Sequence, residues 1–451
     1  MNTQKKLVAL VVFVFAITTL FAQDWPQFLG PERNSTSPQK NLLRTWPEAG
    51  PEILWTVEIG KGYGGPVVKD GKVYLLDRDD TVGDKMRCFE LSSGTEIWSY
   101  GYDAPASVMF PGSRSVPVVE DNFVYSCGHN GELYCFDLNT QKPVWMHNVW
   151  TDFGGAPAPT DGSRSREPGS FPMWAISQNP LLYGDLIIVA SQAPEAGVVA
   201  YDKKSGELKW KTRSLGLTGY VSPQIIKIDG NDHLVMVTAS GGGRGGTPHT
   251  PGNVVGLDPL SGEKIWEFNN WDCHIPVPNA VEAGDNKLLI VGGYELGALM
   301  IQVEKKEDGT YGTKELFRTE EFGDQTKPPI FFDGYFYAQY GTNNKREGLS
   351  CMNMDGEILW NTKREPDFNK GSMILADGLI LATDGAKSIY LIEPDPEGFK
   401  PLASAEILNE KAGDEQMSGR FANQNWAPIA LADGKLLIRD QSRMMCLKVA
   451  E

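Results

Sequence analysis

Tyr63, Arg114, Trp174, Gln178, Tyr220, Trp271, Asp272, His274, Lys327, Lys370, Asn425 and Trp426 are far apart in the chain but alike in placement. Each stands a few residues ahead of a short apolar run. Lys61, Ser115, Ser222, Asn279, Gln325, Asn369, Ser372 and Asn423 hold similar places. The residue types have a common chemistry. Arg, Lys and His pair with carboxylate or sulfate, indole and phenol faces stack on flat rings, and amides bond hydroxyl groups. If a fold gathers them at one point, they form a site for a planar or sugar-like anion. Acid–base roles are available too, with Tyr63, Arg114, Lys327 and His274 acting on a glycan.

The elements that would gather them repeat along the chain. One phrase returns at residues 88–98, 135–145, 200–210 and 256–266, and one residue shorter at 351–360. It begins with a small residue, turns at an Asp/Ser/Asn/Gly cluster and ends in Trp. A truncated copy ends at Trp55. Such a phrase reads as strand, tight turn, strand. The small first position (Cys88, Cys135, Ala200, Gly256, Cys351) is expected to make room for an indole where sheets pack closely. A hairpin signal interleaves with it at residues 66–74, 117–125, 180–188, 223–226, 279–284, 329–337, 373–381 and 428–437. Most of these carry Asp-Gly between alternating strands, the strongest short hairpin signal. A repeat of this spacing predicts an all-β closed array, here an eight-bladed β-propeller. The last hairpin stops before its own Trp-bearing strand. Residues 53–57 are expected to supply that strand and close the ring, which leaves no free edge. Phe317 replaces Trp in the fifth blade, and the seventh, around residues 394–407, is degenerate.

The Trp-ending phrase resembles the tryptophan-docking motif of pyrroloquinoline-quinone (PQQ) type propellers, which include quinoprotein alcohol dehydrogenases and BamB-like outer-membrane assembly factors. The stretch 24–33 with Leu43–Pro47 is similar to secreted bacterial PQQ-like repeat proteins. The resemblance covers nearly all of the chain after residue 22. It implies fold more than chemistry. In the dehydrogenases it implies a quinone on an aromatic floor, for which Trp271, Trp426 or Trp174 would serve, together with calcium, a base, for which Asp272 would serve, and a disulfide of adjacent cysteines. This chain has no adjacent cysteines and no Cys-x-x-Cys-His haem attachment.

Composition narrows the classes. The chain has 451 residues and a formal charge of -16, which disfavours nucleic acid and anionic membranes as partners. Residues 1–22, with Lys5 and Lys6 ahead of an apolar stretch, read as a signal peptide, and residues 23–451 as one domain. No cysteine follows the expected cleavage point, so a lipid anchor is not expected. The predicted location is periplasmic or secreted, and the predicted state is monomeric. Of the six cysteines, four fall in the small-residue slot of separate repeats, and Cys127 with Cys135 is the one conceivable bridge. The five histidines show no zinc spacing, and no metal site is expected. Residues 77–84, 241–249, 151–169 and 411–423 read as loops and insertions. The leading expectation is a non-enzymatic scaffold that binds a protein or carbohydrate-like ligand at the channel mouth. Alternatives are a PQQ- and calcium-dependent alcohol or sugar dehydrogenase, and a carbohydrate-active enzyme.

Overall fold

The computed structural model describes residues 23–165, 169–242, 248–341, 346–409 and 424–451. The expected signal peptide, Asn423 and parts of the predicted loops lie outside these residues. The described chain forms eight sheets, each built on a four-stranded antiparallel meander, arranged as blades around a shaft. Blade 1 runs Val67–Lys69, Lys72–Asp79, Gly83–Glu90 and Glu96–Asp103 from shaft to rim. Blades 2 to 6 repeat this meander, their inner strands beginning at Val118, Leu181, Gln224, Val281 and Ile330. Blade 7 begins at Met373 and blade 8 at Ala430.

The turns follow the chemistry that the Asp-Gly pairs require. Asp70 and Gly71 both have positive φ, +49° and +71°, the two left-handed residues of a type I′ hairpin. Closure is as expected. Ile53–Glu58 pairs antiparallel with Arg443–Lys448, Trp55 opposite Cys446, and completes blade 8.

The repeated Trp joins one blade to the next. The Trp55 indole lies against Gly94 of blade 1, where an added Cβ would sit 2.7 Å from the ring, and its Nε1 donates to Leu91 O at 2.8 Å. Trp145 on Gly206, Trp210 on Gly262 and Phe317 on Gly356 repeat the contact. One expectation needs correction here. The small residue at the start of the phrase does not relieve packing between sheets; it sits opposite the indole within one sheet, as Cys88 does Trp98 and Cys351 does Trp360. The close approach between blades falls on the turn glycine. Trp266 departs from the rule. It folds onto Gly256 of its own blade and donates to His233 Nδ1 at 2.9 Å. Blade 5 offers it no such turn, because its third and fourth strands, Gly297–Lys305 and Tyr311–Thr319, form one long hairpin.

All six cysteines are buried free thiols, so Cys127 and Cys135 are not bridged.

Residues 24–43 cross the shaft and plug it. Trp25 pairs with Val68 of blade 1, Pro26 O accepts from Val119 N of blade 2, and Thr36–Ser37 adds a parallel fifth strand to blade 7 at Met373–Ala376. Arg33, 5% exposed, donates to Pro180 O at 3.1 Å and Pro223 O at 3.0 Å at the entries of blades 3 and 4. Its neighbour Phe28 forms part of the floor of the space on the other side. The shaft is therefore a cup rather than a through-channel.

A cationic, aromatic cup at the shaft mouth

The cup holds about 340 Å³ and takes wall residues from all eight blade entries. The segment ahead of each inner strand points toward the axis, so a similar position in each repeat converges on one place. Tyr63, Arg114, Trp174, Tyr220, Lys327, Lys370 and Trp426 all line it, as do Ser222, Asn279 and Gln325.

One side is an aromatic wall. Tyr63 stacks on Trp426 with ring centroids 5.5 Å apart, and Phe110 leans on both at 6.3 and 5.8 Å. The Tyr63 hydroxyl donates to Gln424. The Arg114 guanidinium lies 5.6 Å from the Tyr63 ring centroid and donates to Met109 O at 2.7 Å and to Phe110 O. Across the cup, Trp174 meets Tyr220 edge to face at 5.5 Å. Lys370 Nζ lies 4.8 Å from the Trp426 ring centroid, and Lys327 Nζ donates to Trp426 O at 2.8 Å. Such cation–aromatic contacts strengthen when water is excluded.

The electrostatics have one sign. Arg114, Lys327 and Lys370 line the cup, and among the described residues no Asp or Glu does. Burial pulls the Lys327 ammonium down to about 8 and Lys370 to about 8, where the nearby Arg346 pushes the same way. Burial also lowers Arg114. Tyr63 and Tyr220 are pushed up to about 12 by burial, so both remain hydroxyl donors near neutral pH. Behind the wall, Asp324 is fully buried and raised to about 6 by that burial; its Oδ1 accepts from Thr326 N at 2.8 Å and Lys327 N at 3.0 Å.

The remaining sequence expectations fall outside the cup. Gln178 is buried behind it, because Ser177 and Asn179 take the inward positions of that extended stretch. The same one-residue offset removes Asp272 and His274. Ile275, Val277 and Asn279 face the cup, while Asp272 pairs with His249 at 3.2 Å and His274 Nδ1 meets Ser240. Side chains of an extended segment alternate, so an error of one residue exchanges inside for outside. Trp271 is 1% exposed and belongs to the core with Cys273 and Leu299. Asn425 donates to Asn409 O at 3.0 Å and to Ala386 O, which ties strand ends together. The sequence reading missed Phe28, Met109, Phe110 and Tyr294 in the wall. Met109 and Phe110 lie in the connection between blades 1 and 2, outside the repeat. Their only signal is an apolar pair in a polar loop.

A family model described as outer membrane protein assembly factor BamB matches residues 84–270. A curated BamB from Yersinia pestis is 23% identical over 194 residues, 42% of this chain and 44% of that protein, so the match spans under half of either. BamB from Moraxella catarrhalis superposes with a TM-score of 0.56 at 12% identity, covering 88% of this chain and 99% of that one. A quinohaemoprotein alcohol dehydrogenase from Comamonas testosteroni gives 0.60 at 12% identity over 94% and 80%. This chain is an eight-bladed β-propeller similar to the PQQ-like repeat family. The structural likenesses are at identities that speak for fold alone. Among the described residues of the propeller, no helix is long and apolar enough to cross a membrane.

The donor set can be tested against the groups that quinoproteins use. The cup's flat aromatic walls and three cations suit a planar polyanion. Calcium is not matched in charge, because its sites combine carboxylates with amide and backbone carbonyls, and cations with no described carboxylate line the cup.

Proposed function

We propose that this propeller is an exported, non-enzymatic binding scaffold whose shaft-mouth cup takes an acidic, carbohydrate-like ligand. One observation carries the reading: a cup lined by Arg114, Lys327 and Lys370 with no described acidic residue, in a chain of net charge -16. Buried cations without carboxylate partners are costly unless an anion arrives. The Tyr63–Trp426 stack offers a flat face for a sugar ring. Asn279 Oδ1 and the Gln325 amide are placed for its hydroxyls. Size agrees with a mono- or disaccharide, since ligand pockets of about 300–1,000 Å³ enclose small organic molecules. Export rests on the basic and apolar character of residues 1–22, and a periplasmic or secreted location follows from it.

The test is a titration of the chain with glucuronate, glucose and PQQ, with and without calcium, followed by tryptophan fluorescence and calorimetry. Glucuronate is expected to bind without calcium, weaken with added salt, and exceed glucose by at least about tenfold, which is about 1.4 kcal/mol. Trp426→Ala should lower that affinity by about tenfold or more, whereas Trp271→Phe should leave it unchanged. Absence of glucuronate binding would overturn the proposal. Tight calcium-dependent uptake of PQQ would favour the second reading, a quinoprotein dehydrogenase.

A further inference from the structure

Lys370 differs from the other cations of the cup. Arg114 donates to two carbonyl oxygens and Lys327 donates to Trp426 O. The Lys370 amine makes no hydrogen bond and no ion pair among the described residues; its one described contact is the Trp426 ring. The residue is nevertheless 5% exposed and lines the cup. Its backbone is left-handed, φ +63°, a conformation that a non-glycine residue adopts at a cost. The flanking peptides hold it there. Asn369 N donates to Asp384 O at 2.8 Å, and Gly371 N donates to Gln339 Oε1 at 2.8 Å. Gly371 itself has no room for a side chain, since a Cβ would lie 1.8 Å from Thr383 O. The chain thus spends strain to hold an unpartnered amine in a water-poor, cationic cup.

An amine in that setting is a nucleophile. Desolvation and neighbouring cations favour the neutral form, the form that attacks carbonyl carbon. We propose that Lys370 captures the carbonyl group of its ligand as a reversible imine, so that the ligand class is a carbonyl-bearing acid, such as an open-chain uronic acid or a 2-oxo acid. This rests on the reading of the cup as an acid-binding site. The step balances without an oxidant or reductant. The Nζ lone pair forms a C–N bond as the carbonyl π pair moves to oxygen, and that oxygen takes a proton from water or the Lys327 ammonium. The added nitrogen gives up a proton to water, the carbinolamine hydroxyl takes one and leaves as water as its C–O bond breaks, and the nitrogen lone pair closes the C=N bond. Arg114 and Lys327 hold the carboxylate, and the Trp426 face screens the imine from bulk water. The charged groups that bear on the amine are Arg346 and Asp324. Arg346 lowers its proton affinity and Asp324 opposes that.

The test is to incubate the full chain with glyoxylate and cyanoborohydride, then map the adducts by peptide mass spectrometry. The expected result is one carboxymethyl group on Lys370, formed at least about tenfold faster than on any surface lysine, rising from pH 6 to pH 8, and suppressed by excess methyl glucuronide, which has no free carbonyl. Lys370→Arg keeps the charge and should abolish the adduct; methyl glucuronide binding is read on the parent chain by tryptophan fluorescence. Lys370→Gln, which asks less of the strained site, serves if the arginine variant misfolds. Adducts spread evenly over surface lysines, or an unmodified Lys370 in a chain that still binds methyl glucuronide, would overturn the imine and leave the acid-binding reading standing. Failure of methyl glucuronide to bind would remove both.

Discussion

Two glycines isolate the energy of one inter-blade contact. Gly71 and Gly94 share a φ of +71°, so alanine at either bears the same left-handed strain. Their surroundings differ. Nothing lies within 4 Å of a Cβ at Gly71, whereas at Gly94 it would meet Trp55 carbons at 2.7 and 2.8 Å. Carbon pairs prefer about 3.5–4.0 Å, so the overlap is about 1 Å. The indole cannot retreat freely, because its Nε1 is bonded to Leu91 O at 2.8 Å and its backbone is registered against Cys446. Gly71→Ala should therefore cost only the strain, about 1 kcal/mol after the entropy lost from the unfolded chain is credited. Gly94→Ala should cost about 2–4 kcal/mol more, from overpacking and the weakened indole bond. Urea unfolding with a common slope measures both. Because the contact lies where blade 8 meets blade 1, hydrogen exchange at Ile53–Glu58 should rise in Gly94→Ala and not in Gly71→Ala. If the two variants lie within about 0.5 kcal/mol of each other, the docking of the Trp on the turn glycine does not hold the ring together.

Glu132 gives a pH signature. Burial and then the Asp84 carboxylate push it up to about 7, and its Oε2 has no described hydrogen-bond partner. A folded value above the unfolded one means that protonation favours the fold. The contribution is complete below about pH 4.5 and is lost as pH rises through 7. Glu132→Gln should remove about 2–3 kcal/mol of that dependence, seen as a smaller fall in stability from pH 5 to pH 8 than in the parent; identical profiles would refute it. The plug offers another test. Arg33→Met leaves the carbonyls of Pro180 and Pro223 without their donor and should cost about 3 kcal/mol. Tryptic cleavage at exposed Lys40 should accelerate, and an unchanged cleavage rate would mean that the plug is held by other contacts.

The chain's periodicity was enough to read the blades. Asp-Gly turns demand I′ geometry wherever they occur, and a Trp at a constant offset reports a constant packing need, so the number of blades and the closing strand were legible locally. The cup was legible only in part. Residues ahead of the inner strands converge by repetition, which is why Tyr63, Arg114, Lys327, Lys370 and Trp426 meet. Which neighbour in each stretch faces inward depends on a one-residue register that irregular entries do not declare, and this is where Gln178, Asp272 and His274 were misplaced. Trp271 was misplaced for another reason: an indole near a site looks the same in sequence whether it lines a wall or fills a core.

The sequence by itself determined the ring, because the repeat imposes hairpins, turn glycines and indoles at every blade, and the truncated last copy needs the first Trp strand. Only the tertiary structure decided that the shaft is closed. Residues 24–43 carry no repeat, and their role depends on contacts with blade residues from 43 to about 410 positions away, such as Trp25 with Val68 and Gln39 with Gly434. It likewise decided that cations and no described carboxylate line the cup, with Asp324 set behind the wall. Sequence counts acids and bases along the chain, but the sign of a cavity depends on which of them the fold turns inward, and here the described carboxylates near the mouth are turned away.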